Sequence, residues 1–110
     1  MEREARPRAL AENEARFRAV NERIERESLA SGGGEAPIEF VCECGDADCT
    51  EALRLTTREY EWLRDDPARF AVVPGHESGV EGEVVTDNGN FRVVEKSGVA
   101  GEVARETDPR

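Results

Sequence analysis

Apolar residues recur at helical spacing in the first thirty positions and nowhere else for so long. Leu10, Phe17 and Ile24 follow one another at seven-residue intervals, with Val20 on the same stripe, which predicts an amphipathic helix over 7–29. Pro7 suits a first helical position, where its missing N–H costs nothing. On the other faces Glu12–Arg16, Glu14–Arg18 and Glu22–Arg26 form i,i+4 pairs in the favoured order. Asn13 occupies a seam position and would set register in a helix pair. The stripe covers barely three heptads. It serves either to dock the helix on its own body or to pair it with another chain.

After this helix the period changes. Ser31-Gly32-Gly33-Gly34 is a flexible break that Pro37 closes. Ile38, Phe40 and Cys42 then alternate as one face of a strand, and Leu53 and Leu55 do the same in a second strand over 51–55. Thr56 with Glu59 matches a capping box, so a helix starts at Thr56 or Thr57, with Tyr60 and Leu63 on one face and Trp62 on the flank. Asp65-Asp66-Pro67 stops it. Phe70–Val73 reads as a third strand, ended by Pro74-Gly75. Glu83–Thr86 and Phe91–Glu95 flank Asp87-Asn88-Gly89-Asn90, a strong hairpin signal. From Gly98 onward large apolar side chains are sparse, which predicts a loosely packed tail with a short helical piece near 102–106.

The expected fold class is therefore α+β. An N-terminal amphipathic helix (1–30) leads through a Gly-rich linker (31–37) to a body (38–97). The body is a small, mainly antiparallel sheet with one packed helix and a metal-closed hairpin, and a tail (98–110) follows.

Charge narrows the partners. The 110 residues carry a net charge of −10, and nine of those ten negative charges fall in residues 38–110. Nucleic acid and anionic membranes would repel such a body. Acidity of this kind ordinarily serves solubility, and a basic protein partner is the sharper alternative. Met1–Arg8 lacks the apolar stretch of a secretory signal, so a cytoplasmic setting is expected.

Three cysteines, Cys42, Cys44 and Cys49, lie within eight residues. An odd count without a secretory signal argues against a disulfide framework. A closed zinc site wants four ligands, and Gly45 after Cys44 permits the turn that brings thiolates together. The chain has one histidine, His76, on the turn after the third strand. Taken singly it reads as a surface histidine. Beside three thiolates it completes a set of three sulfurs and one nitrogen. Asp46, Asp48 or Glu77 offers an oxygen in its place, and Glu77 alternatively orients the imidazole. The donor set favours zinc, with an iron–sulfur cluster less favoured because 26 residues separate Cys49 from His76. A body below about 70–80 residues also commonly needs a staple such as a metal. Buried free thiols, packing as small apolar side chains, are the plain alternative.

Several segments carry a resemblance. They are Glu12-Asn13-Glu14 through Asn21-Glu22-Arg23-Ile24, Phe40-Val41-Cys42-Glu43-Cys44 with Cys49, and Leu55-Thr56 with Glu59-Tyr60-Glu61. Val73-Pro74-Gly75-His76-Glu77, Val93-Val94-Glu95-Lys96 and Thr107-Asp108-Pro109-Arg110 continue it over most of the chain. In these the sequence resembles an uncharacterised family of small bacterial proteins. The resemblance implies that Cys42, Cys44, Cys49 and His76 belong to one framework. It implies no activity and no metal identity.

Nothing points to catalysis. There is no glycine-rich phosphate loop or dinucleotide fingerprint, and no third residue to orient a Cys–His pair. The expected function is a structural zinc-binding module for protein–protein interaction, with the N-terminal helix serving a partner or self-association. A thiol-redox switch built on the same site is the alternative, and a small iron–sulfur protein a weaker one.

Overall fold

The change of period after the first helix is realised as a long rod laid across a small α+β body. The computed structural model describes residues 2–33, 35–77 and 82–110, with side chains from residue 8 onward. Helix α1 spans Glu2–Ala30. At about 1.5 Å per residue its length approaches the 47 Å long axis of the molecule. It starts before Pro7, which removes a single ladder bond near the helix end.

The body holds two antiparallel sheets. Strands β1 (Ile38–Val41) and β2 (Ala52–Leu55) pair with Phe40 opposite Leu53. Helix α2 (Thr57–Arg64) follows, and its capping box is formed as the sequence predicts: Glu59 N–H donates to Thr56 Oγ1 and Thr56 N–H to the Glu59 carboxylate. Strands β3 (Arg69–Val72), β4 (Gly82–Asp87) and β5 (Arg92–Lys96) make the second sheet in the order β3-β5-β4, with the Asn-Gly turn joining β4 to β5. Helix α3 (Gly98–Glu106) ends the chain's regular structure. No helix among the described residues is long and apolar enough to cross a membrane.

The main core lies between the two sheets and α2. Phe40, Leu53, Leu55, Tyr60, Leu63, Val72, Phe91 and Val93 are buried there, with Phe40 and Tyr60 stacked at 4.7 Å. Trp62 lies on the flank, about half exposed, with the Arg69 guanidinium over its ring.

Two expectations are corrected. The segment after Gly98 is not loose: Ala100, Gly101, Val103 and Ala104 are buried, and Ala100 and Val103 meet Ala11 of α1. Small side chains let two helices approach closely, so the lack of large apolar residues marks a tight contact here. The second correction concerns α1 itself. Its inward face is not the Leu10–Phe17–Val20–Ile24 stripe but Ala11, Glu14, Arg18, Asn21, Glu22 and Glu25, about a quarter turn away. Val20 is 45% exposed, while Ile24 packs partly on the core.

This polar face is buried because each group meets a partner on the body. Glu14 pairs with Lys96, the only lysine, at 2.5 Å, with both side chains almost fully buried. Arg18 donates to the carbonyls of Pro67 (2.7 Å) and Ala104 (2.8 Å) and lies over the Phe70 ring. Glu22 accepts from Arg64 at 3.0 Å and from Arg110 at 2.8 Å, and Arg110 also reaches Glu25 and Glu61. The expected surface pairs Glu14–Arg18 and Glu22–Arg26 are therefore not how these glutamates are used. Asn13, expected to set a helix-pair register, donates instead to the Gly45 carbonyl at 3.0 Å.

Removing one member of a buried pair strands the other in low dielectric, at a cost of about 3–5 kcal/mol, whereas an exposed i,i+4 pair is worth about 0.3–0.5 kcal/mol. Lys96→Ala is expected to lower unfolding free energy in urea by the former amount. Arg23→Ala, which breaks the exposed Arg23–Glu27 pair, is expected to change it by the latter. Similar losses for both would show that the seam carries no such charge burial.

Candidate metal centre

Three of the four candidate ligands come from the hairpin and one from the other sheet. The β1–β2 pairing continues one step past Val41, where Cys42 N–H donates to the Glu51 carbonyl at 3.2 Å. Alternation then sends Cys42 and Cys44 to one side and Glu43, between them, to the other. Gly45 turns the chain at φ +84°, and Cys49 N–H closes the loop on the Asp46 carbonyl at 3.0 Å. After β3, Val73-Pro74-Gly75-His76 makes a turn with Gly75 at φ +95° and His76 N–H on the Val73 carbonyl at 2.9 Å. Proline before a glycine at positive φ is the chemistry of a type II turn.

These two turns bring Cys42, Cys44, Cys49 and His76 together, with one ligand atom from each lying within 4.8 Å of the others. His76 Nδ1 is 3.6 Å from both Cys42 Sγ and Cys49 Sγ. A tetrahedral ion at about 2.3 Å from sulfur and 2.0–2.1 Å from nitrogen would set S and N about 3.5–3.6 Å apart. The wider separations in the set would shrink by about 1 Å on closing round such an ion. Cys42 is buried, and Cys44 and Cys49 are half-buried; all three are free thiols.

The surroundings suit sulfur ligands. Val73 N–H donates to Cys42 Sγ at 3.2 Å. Burial pushes the Cys42 and Cys44 thiols above their usual range, so taking up a cation there must displace protons. The imidazole is oriented from behind: His76 Nε2 lies 2.9 Å from the Glu51 carboxylate. With Nε2 donating to that carboxylate, the neutral ring would turn its Nδ1 lone pair toward the thiols.

Glu51 is a residue that sequence reasoning missed. Its signal was available in the strand pairing, since it sits opposite the C-x-C segment, but only the fold places it beside position 76. Glu77, expected as ligand or orienting group, serves otherwise. It pairs with Arg92 and accepts from Gly75 N–H at 2.9 Å, bracing the turn. Asp46 and Asp48 lie outside the cluster, and Asp46 accepts from Asp48 N–H within its own loop.

Glu43 was also missed. It is fully buried, on the side of the strand away from the thiols. Its carboxylate accepts from Asn21 Nδ2 (2.8 Å), Tyr60 O–H (3.0 Å) and Ala71 N–H (2.9 Å), while its own N–H donates to the Ala71 carbonyl at 2.8 Å. Burial raises its pKa, and the three donors oppose that rise. Glu43 thus ties the cysteine segment to β3, α1 and α2 at once.

Comparison of the chain with known families, curated proteins and solved structures finds no match.

Truncating Glu43 leaves three buried donors without their acceptor, each costing about 1–3 kcal/mol. Glu43→Ala is expected to lose at least about 3 kcal/mol in chemical denaturation, with or without added metal. A loss below about 1 kcal/mol would mean the strut is not needed.

Proposed function

We propose that Cys42, Cys44, Cys49 and His76 hold one zinc ion as a structural centre, and that the module it stabilises binds another protein. The observation that carries the zinc reading is the 3.6 Å approach of His76 Nδ1 to two sulfurs, with its other nitrogen engaged by Glu51. Three sulfurs and one nitrogen form a soft, closed donor set, which favours zinc over harder cations and leaves no position for substrate. The reading is accordingly non-enzymatic. An ion held there would join the hairpin of the first sheet to the turn leaving the second. The acidic body favours a partner with a basic surface.

Full-length protein is expected to bind one equivalent of zinc by elemental analysis. Chelation is expected to lower its melting temperature, and Cys44→Ser to abolish stoichiometric binding. Three freely titrating thiols and no zinc uptake by the wild type would sink the reading.

A redox role is the second reading, favoured by the partial exposure of Cys44 and Cys49 in the same cluster. Hydrogen peroxide would take two electrons from these two thiolates. One S–S bond would form, the peroxide would leave as two waters after taking up two protons, and zinc would be released. Zinc release by micromolar peroxide, reversed by a dithiol reductant, is the expected result for a switch. Retention of zinc under the same conditions leaves the structural reading alone.

A further inference from the structure

The helix α1 and the candidate centre share one piece of chain. Asn21 uses both ends of its amide on Val41: Nδ2 donates to the Val41 carbonyl and Oδ1 accepts the Val41 N–H, each at 2.8 Å. The same Nδ2 donates to Glu43. Two turns earlier, Asn13 Nδ2 donates to the Gly45 carbonyl at 3.0 Å. Gly45 lies so close under the helix that a Cβ there would sit 2.9 Å from Glu14 Cγ and 3.0 Å from the Leu10 carbonyl oxygen. Segment 41–45 contains Cys42 and Cys44. Neither asparagine is itself among the candidate ligands.

The backbone that presents two sulfurs is therefore the backbone that receives the helix. Either partner is best served by one position of that segment. The inward face of α1 offers little apolar surface to hold it by other means, since Ala11 is its one fully buried apolar side chain among the described residues. Polar contacts of this kind depend on geometry much more than hydrophobic contacts do.

We propose that metal occupancy and the docking of α1 are thermodynamically coupled, with Asn13 and Asn21 as the positioning residues that transmit the coupling. The proposal rests on the zinc reading of the Cys3His cluster. Linkage makes it reciprocal: zinc tightens the grip on the helix by the same factor by which the helix tightens zinc. The contacts of Ala11 with α3 and of Glu22 and Glu25 with Arg110 do not involve segment 41–45. Together with the Glu14–Lys96 pair and the hydrogen bonds of Arg18 to Pro67 and Ala104, they keep the helix attached, so the metal adds to the firmness with which residues 13–21 are held.

The test measures zinc affinity of the full chain by competition with a chromophoric chelator. Asn21→Ala and Asn13→Ala are each expected to weaken zinc about tenfold, the effect typical of groups that position metal ligands. Arg23→Ala, on the exposed face, is expected to leave affinity unchanged. In the reverse direction, zinc is expected to slow amide hydrogen exchange over residues 13–22 of the wild type, and less so in Asn21→Ala. A purely structural role for the asparagines would destabilise metal-free and zinc-loaded protein equally and leave zinc affinity at the wild-type value; that result overturns the coupling. If Asn21→Ala fails to fold, Asn13→Ala, which removes one hydrogen bond at a half-buried position, decides by the same criterion. A wild type that binds no zinc overturns the metal-site reading, and the coupling falls with it.

Discussion

The structure depends on how five residues, Val41 to Gly45, are held from both sides. On one edge the Asn21 amide pairs with the N–H and carbonyl of Val41 as a neighbouring strand would. Further along the same edge, Glu43 exchanges hydrogen bonds with the backbone of Ala71 in β3, one through its own N–H and one through its carboxylate, while on the opposite edge Cys42 N–H donates to the Glu51 carbonyl. Backbone groups buried at a strand end need partners, and here side chains supply them. The consequence is positional. Strand alternation, with Glu43 anchored inward, leaves Cys42 and Cys44 no choice but the opposite side.

The seam beneath α1 follows a related logic. Charged groups are costly to bury, and a pair of them is often no more stabilising than an apolar pair of the same shape. What such pairs add is discrimination. Glu14 needs Lys96, Arg18 needs the carbonyls of Pro67 and Ala104, and Glu22 needs Arg64 and Arg110. A helix displaced by one turn would strand several of these at once. The seam thus trades apolar adhesion for a single register, while the apolar core is left to the sheets and α2.

The candidate centre stands where these two systems meet. Its sulfurs belong to the first sheet and its nitrogen to the turn leaving the second. Glu51 bridges them, since it lies opposite Cys42 in the hairpin and its carboxylate faces His76. A cation there would complete a connection that the protein already makes through Glu43 and Ala71 on the reverse side of the strand.

The elements themselves were legible in the sequence because their causes are local. The alternation of Ile38, Phe40 and Cys42, the Thr56–Glu59 box, and the Asn88-Gly89 turn each act within a few residues. The four clustered candidate ligands were legible too, because three sulfurs within eight residues leave a gap that a lone histidine suits. The tertiary structure alone decided which face of α1 turns inward. Apolar periodicity pointed to Leu10, Phe17 and Val20, but a helix docks where its groups find partners, and the partners of Glu14, Arg18 and Glu22 lie 42 to 89 residues away in the chain. The same holds for Glu43, Glu51 and Arg110. Charged residues read singly as solvated surface, and only the fold, by bringing opposite charges and hydrogen-bonding groups to them, turns them into interior structure.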